Sequence, residues 1–415
     1  MKRNPLVQSM RCAACCDLIP ANGEFFYTCP KCGPSGTLEV LYDYQGLAEN
    51  WLRVQASGER GLRRYASWLP IQSADSLPPL LVGDTPLTRV PRLSQALGLP
   101  NLWIKEDQRN PTGSFKDRAS AAVIAAARDR SIGLITAAST GNAASSLAGL
   151  CASVGLRTVI FVPATAPEAK VIQLLVYGAE VLLVNGTYDD AFELSLEATR
   201  QFGWFNRNTG YNPFTLEGKK TVSLEIFEQI PRVDAVFVSV GDGCIIGGIG
   251  KGFQDLHRAG LLPKIPRLYG VQADGSSVLS KAHRHGVLKI EPAACTYADS
   301  ICVGEPRVAH QALQVVKESG GQYLTVSDDE IRAAQLQLAQ LTGIFAEPAG
   351  AAPVAGLSKA LASGWIQPEE KILSVVTGHG LKDIRGAISA VRSKAVQIGR
   401  NPAQLADQLR LAGIV

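Results

Sequence analysis

The sequence has no apolar run long enough to span a bilayer as a helix, which argues against an α-helical membrane protein. It has no basic block, and 41 Lys and Arg against 37 Asp and Glu leave a net charge of only +4. That balance speaks against a general role on nucleic acid or on a membrane surface. The start, Met1-Lys2-Arg3-Asn4-Pro5-Leu6, lacks the apolar segment of a secretory signal, so the expected compartment is the cytoplasm. There is no internal repeat and no low-complexity segment. What is present is a globular composition, 46% hydrophobic and 19% charged over 415 residues, enough for two or three domains.

The nine cysteines do not have the spacing of a disulfide framework. Cys151, Cys244, Cys295 and Cys302 are scattered, whereas five cysteines fall within the first 32 residues. These read Cys12-Ala13-Ala14-Cys15-Cys16 and Cys29-Pro30-Lys31-Cys32-Gly33. Two Cys-x2-Cys knuckles at this separation place four thiolates, Cys12, Cys15, Cys29 and Cys32, where they can close a tetrahedron around Zn2+. Cys16 is a second candidate for the place of Cys15. So short a segment has little core, and the metal would supply its folding energy. Phe25-Phe26-Tyr27 and Leu38 to Tyr42 are expected as short strands of a zinc ribbon.

Beyond a connector over residues 45 to 80, anchored by Trp51, Tyr65 and Trp68, short apolar runs alternate with helical patterns. Strands are expected at 102–105, 133–137, 158–162, 181–184, 235–238, 268–271 and 372–376, and helices at 142–154, 168–177 and 188–202. Ser327-Asp328-Asp329-Glu330 is a capping box that opens a helix over 328 to 341. This is an α/β pattern, a parallel sheet covered on both faces, in which ligands collect at the carboxyl ends of the strands.

Four loops stand at such strand ends. The run Asn110-Pro111-Thr112-Gly113-Ser114-Phe115-Lys116 presents a lysine amine at the start of an Ala-rich helix, as an aldehyde cofactor requires. Ser139-Thr140-Gly141-Asn142 pairs two hydroxyls and a helix start, suited to a carboxylate, with an amide suited to a phenolic oxygen. Gly241-Asp242-Gly243-Cys244-Ile245 is a turn whose N–H groups suit a phosphate. It lacks the dinucleotide fingerprint and the Gly-Lys-Ser/Thr ending of a nucleotide loop. Thr377-Gly378-His379-Gly380 offers a hydroxyl for a ring nitrogen. Aldehyde, phenolic oxygen, ring nitrogen and phosphate together describe pyridoxal 5′-phosphate.

At these residues, and at Glu347-Pro348-Ala349-Gly350-Ala351-Ala352, the chain resembles the threonine synthases, a branch of the fold-type II (tryptophan synthase β-like) pyridoxal phosphate enzymes. The resemblance runs from about residue 80 to 390. It implies two doubly wound parallel-sheet domains behind the ribbon. The expected divisions are a ribbon at 1–44, connector and start of the large domain at 45–105, a small domain at 106–205, the large domain at 206–395 and a C-terminal helix at 396–415. It also implies roles. Lys116 is the Schiff-base lysine, Asn142 contacts the ring hydroxyl, and Gly241 to Ile245 hold the cofactor phosphate. Thr377 faces the ring nitrogen, and Ser139, Thr140 and Gly141 hold the substrate carboxylate. A small-molecule amino-acid substrate and a homodimer are expected on the same ground.

The segment from Asn208 to Thr221 resembles the one that binds the substrate's phosphate in that branch, with two departures. Thr209-Gly210 precede Tyr211-Asn212-Pro213, and Thr215 stands where an arginine is usual, with Lys219 nearby in place of a glutamine. The implied reaction converts O-phosphohomoserine and water to threonine and phosphate. A β-eliminating ammonia-lyase or β-replacement enzyme on serine, threonine or diaminopropionate is the alternative, motivated by Thr215 and Gly210. A zinc-ribbon interaction protein with a retired catalytic domain is the alternative of another class.

Overall fold

A computed structural model describes residues 4–21, 24–166, 168–291, 294–391 and 395–414. The first four strands are β1 (Val7–Cys12), β2 (Leu18–Pro20), β3 (Thr28–Cys29) and β4 (Gly33–Tyr42). They form an antiparallel sheet in the order β2-β1-β4-β3. Phe25-Phe26-Tyr27 is not a strand, contrary to expectation. Its rings are used as anchors: Phe25 stacks on Phe214 at 5.5 Å and Tyr27 on Tyr211 at 4.5 Å. The Tyr27 hydroxyl accepts the Asn206 N–H at 2.9 Å. Burial against the body thus replaces backbone pairing in this segment.

The remaining strands are β5 (Leu87–Arg89), β6 (Leu102–Glu106), β7 (Leu134–Ala138), β8 (Arg157–Pro163), β9 (Glu180–Val184), β10 (Phe205–Asn206), β11 (Ala235–Ser239), β12 (Arg267–Ala273), β13 (Gln322–Val326) and β14 (Ile372–Val376). They make two sheets, β10-β7-β8-β9 and β13-β12-β11-β14-β6-β5. Both are parallel apart from β5, which runs antiparallel on β6. Central strands β11 and β14 are buried along their whole length, as their continuous apolar sequences require when helices cover both faces. The Ser327–Glu330 capping box is formed at the start of the helix Asp328–Thr342.

One major helix had no apolar stripe to announce it. Phe214–Gln229 carries Glu217, Lys219, Lys220 and Glu225, and all four are buried. Hydrophobic periodicity fails here because the buried faces are polar and matched to polar partners. Glu225 meets Lys105 at 2.7 Å and Arg118 at 2.6 Å, and Arg118 also meets Asp107 at 2.7 Å. These cations hold the Glu225 carboxyl below the usual range despite the opposing effect of burial. Backbones approach closely as well: a Cβ on Gly218 would lie 2.0 Å from the Arg118 carbonyl oxygen. The network therefore fixes the helix that follows Lys116. Removing one partner leaves an uncompensated buried charge, so Glu225→Ala is expected to lower unfolding stability by about 3 kcal/mol, read by denaturant titration.

The ribbon docks on the same helix. The Tyr42 hydroxyl donates to Glu217 at 2.5 Å, and the Lys220 ammonium sits 3.9 Å over the Tyr42 ring. Lys220 and Lys251 share Asp255, at 3.0 and 2.5 Å. Glu39 of β4 reaches Arg258 at 3.1 Å. Met10, Cys12, Cys29, Leu38 and Val40 of the ribbon belong to one apolar core with Val222, Leu224 and Ile246 of the body.

Candidate active site

All four loops lie at carboxyl ends of parallel strands, and backbone pairing stitches two of them together. Phe115 N–H donates to the Thr377 carbonyl at 2.8 Å, and His379 N–H to that of Gly113 at 2.9 Å. Ser114 bridges Gly378. The turn after β6 is thereby held against the loop after β14, and Lys116, first residue of the helix Lys116–Arg128, opens into the space between them. That space is lined by Lys116, Asn142, Gly241, Cys244, Glu347 and Thr377, together with Thr209 and Ser239.

Burial lowers the Lys116 amine to about 8, helped by the nearby charge of Lys219. An amine so placed is neutral in a useful fraction near neutral pH. Thr377 and Ser239 put hydroxyl oxygens 3.4 Å apart on the adjacent ends of β14 and β11. Asn142 Nδ2 donates to both oxygens of Glu347, at 2.9 and 3.0 Å. Burial raises the Glu347 carboxyl to about 7, against the lowering effect of the Asn142 bond.

The glycine turn has the geometry of an anion cradle. Gly243 adopts φ +85° immediately before the helix Cys244–Arg258, a conformation that favours glycine, and the turn Gly241–Ile245 lines the pocket at this helix start. Asp242 does not point its carboxylate at this cradle: Oδ1 accepts the Arg307 N–H at 2.6 Å. Burial raises that carboxyl to about 6, against the lowering effect of the Arg307 N–H bond.

The other expected residues stand near the pocket without lining it. Ser139, Thr140 and Gly141 form the half-buried loop between β7 and the helix Asn142–Ala152, with Ser139 Oγ accepting the Gly141 N–H at 3.2 Å. Thr215 and Lys219 lie behind Cys244. The Thr215 hydroxyl donates to the Asn212 carbonyl at 2.7 Å, and Lys219 Nζ donates to Cys244 Sγ at 2.7 Å. His379 is structural: its Nδ1 accepts the Leu381 N–H at 3.1 Å and its ring meets Phe345 edge-on at 5.8 Å. Residues the sequence reading did not single out are Ser239, Ser300 and Arg207; Thr209 appeared only as a departure from the family's pattern, and Glu347 only within a motif. Ser239 ends β11 and Thr209 lies just past β10, and their strand-end position is the signal that finds them.

In the ribbon, the Sγ atoms of Cys12, Cys15, Cys29 and Cys32 all lie within 4.8 Å of one another. Cys16 is exposed, at φ +63°, and is outside this group. The four thiols make a site able to hold a metal ion.

Residues 79–378 match the family described as pyridoxal-phosphate dependent enzyme. The chain belongs to that family. Among curated relatives, the threonine synthase of Methanocaldococcus jannaschii is 37% identical over 389 residues, covering 92% of this chain and 94% of the relative. That of Methanosarcina acetivorans is 36% identical over 388 residues, with the same coverages of 92% and 94%. Among solved structures, threonine deaminase isoform 2 of Solanum lycopersicum aligns with a TM-score of 0.63 at 23% identity, over 80% of this chain and 84% of that one. An L-serine ammonia-lyase of Rhizomucor miehei gives 0.65 at 19% identity, over 74% and 96%. At those identities the likeness is one of fold, that of the fold-type II enzymes. The curated relatives mark the chain as a threonine synthase-like lyase dependent on pyridoxal phosphate.

The pocket fits the cofactor of the family. Its walls hold a lysine amine, the glycine turn before the helix Cys244–Arg258, the Asn142 amide and two neighbouring hydroxyls, the kinds of group that an aldehyde, a phosphate, a phenolic oxygen and a ring nitrogen call for. No helix among the described residues is long and apolar enough to cross a membrane.

Proposed function

We propose that the protein is a threonine synthase that converts O-phosphohomoserine and water to threonine and phosphate, with Zn2+ as the ribbon metal. The observation that carries this is the Lys116 amine, lowered to about 8, opening on the same pocket as the cradle at Gly241–Cys244 in a chain 37% identical to a threonine synthase. Bound pyridoxal phosphate supplies an electron sink for the substrate's α-carbon. Lys116 carries the cofactor, then accepts and returns protons at the substrate carbons beside it. The N–H groups of Gly241, Asp242, Gly243, Cys244 and Ile245 hold the cofactor phosphate, and the Asp242 carboxylate stays turned to Arg307. Thr377 offers its hydroxyl to the ring nitrogen. A hydroxyl there, unlike a carboxylate, does not keep that nitrogen protonated, and this moderates the ring's electron demand in favour of elimination and replacement. Asn142, oriented by Glu347, takes the ring hydroxyl. Ser139, Thr140 and Gly141, at the start of Asn142–Ala152, take the substrate carboxylate.

The holoenzyme is expected to release inorganic phosphate from O-phosphohomoserine in step with threonine formation. A flat phosphate trace sinks this substrate. Thr215, whose hydroxyl is committed to Asn212, favours a second reading, a β-eliminating ammonia-lyase. Ammonia and keto acid formed from serine, threonine or diaminopropionate, with no phosphate release, would select it.

A further inference from the structure

Apart from Lys116, six lysine and arginine side chains among the described residues are buried, and four of them have carboxylates. Lys105 and Arg118 meet Glu225, and Lys220 and Lys251 meet Asp255. The other two, Arg207 at 1% exposure and Lys219 at 0%, form no ion pair with a carboxylate among the described residues. Lys219 spends its ammonium on Cys244 Sγ at 2.7 Å. Arg207 donates from Nε to Ser120 Oγ at 3.2 Å and from Nη1 to Thr209 Oγ1 at 2.8 Å, and its Nη2 is buried with no partner. Thr209 and Cys244 are both walls of the pocket. Two carboxylates act on these cations from beyond ion-pair distance, Asp117 on Arg207 and Asp242 on Lys219. Asp117 is held by Thr112 and Asp242 by Arg307 N–H.

A buried guanidinium with an open donor is costly unless an anion completes it, and a phosphate monoester matches its fork. We propose that Arg207, presented through Thr209, is the specificity residue that holds the phosphate of a phosphorylated amino-acid substrate, separate from the cofactor's cradle at the start of Cys244–Arg258. Position 215 contributes no donor of its own there, because its hydroxyl is turned to Asn212. Arg207 puts a guanidinium directly behind the Thr209 wall from the end of β10, and Lys219 adds charge behind Cys244. The proposal rests on the reading of a phosphorylated substrate and deepens it.

The test uses the holoenzyme, in which the cofactor already fills its own cradle, with inorganic phosphate as probe. Calorimetry is expected to show one phosphate site per chain. Arg207→Gln should weaken it by about 30-fold or more, Arg207→Lys should recover part of the loss, and the visible absorbance of bound cofactor should stay at one equivalent in both. Apo Arg207→Gln should melt at or above the temperature of the apo wild type, because an unpaired buried charge is gone. Four results overturn the proposal: no phosphate site in the wild-type holoenzyme, unchanged phosphate affinity in Arg207→Gln, loss of cofactor in that variant, or a marked fall in its apo melting temperature. Loss of cofactor would assign Arg207 to the cofactor's phosphate instead, and a fall in melting temperature would make it structural. An enzyme inactive on O-phosphohomoserine whose phosphate site still depends on Arg207 would discard that substrate and keep the subsite.

Discussion

Replacing Lys116 by alanine is expected to leave a folded protein whose kcat/KM is down by at least about 10^4-fold, with no cofactor covalently held. The size of the effect follows from the double use of one amine, as the point of attachment and as the proton carrier. Lys116 lies at the first turn of its helix, and the ion-pair network beneath it belongs to Arg118, Glu225, Asp107 and Lys105. The substitution therefore touches chemistry and not the frame. A pH dependence accompanies it. The amine is lowered from 10.5 to about 8 by burial and by Lys219, and only its neutral form attacks an aldehyde. Capture of added pyridoxal phosphate by the apoenzyme should accelerate as pH rises through about 8 and level off above it. Stopped-flow absorbance reads this directly, and a rate flat from pH 7 to 9 would remove Lys116 as the limiting nucleophile.

Removing the ribbon metal is expected to have the largest effect on stability. The four thiols sit within 4.8 Å of one another, and removing a bound cation removes the bonds that tie the two knuckles together. The loss does not stay in the ribbon. Glu39 and Tyr42 of β4 are tied to Arg258 and to Glu217, and Glu217 and Lys220 flank Lys219 on the helix behind the pocket. Chelation, or Cys29→Ser, should lower the unfolding midpoint by roughly 5–10 °C, as a loss of about 5 kcal/mol implies for a chain of this size. It should also weaken retention of the cofactor, seen as absorbance lost on gel filtration. Cys16→Ser should change neither, since that side chain is exposed and outside the cluster.

Much of the fold was legible because short apolar strands with continuous burial announce themselves, as β11 and β14 do. Strand-end placement also located the loops of Lys116, Asn142, Gly241 and Thr377. What was hidden follows from two physical causes. Where polar side chains are buried against each other, as along Phe214–Gln229, periodicity carries no signal. Where two neighbours are chemically alike, only the backbone decides. Cys15 and Cys16 are equivalent as letters, and a left-handed turn at Cys16 turns one of them out. The orientation of Asp242, a carboxylate inside a turn suited to a phosphate, is likewise set from far along the chain, by the N–H of Arg307. Arg207 gave no sequence signal at all. It follows a two-residue strand, and its meaning lies in the partner it lacks.

The most direct test of the central claim is chemical. The holoenzyme would be reduced with borohydride, digested, and its peptides mapped by mass spectrometry. The mass of the reduced cofactor is expected on Lys116 alone, at one equivalent per chain. Finding it on Lys219 or another lysine, or finding no fixed cofactor, would contradict the assignment of Lys116 and with it the reading of the pocket.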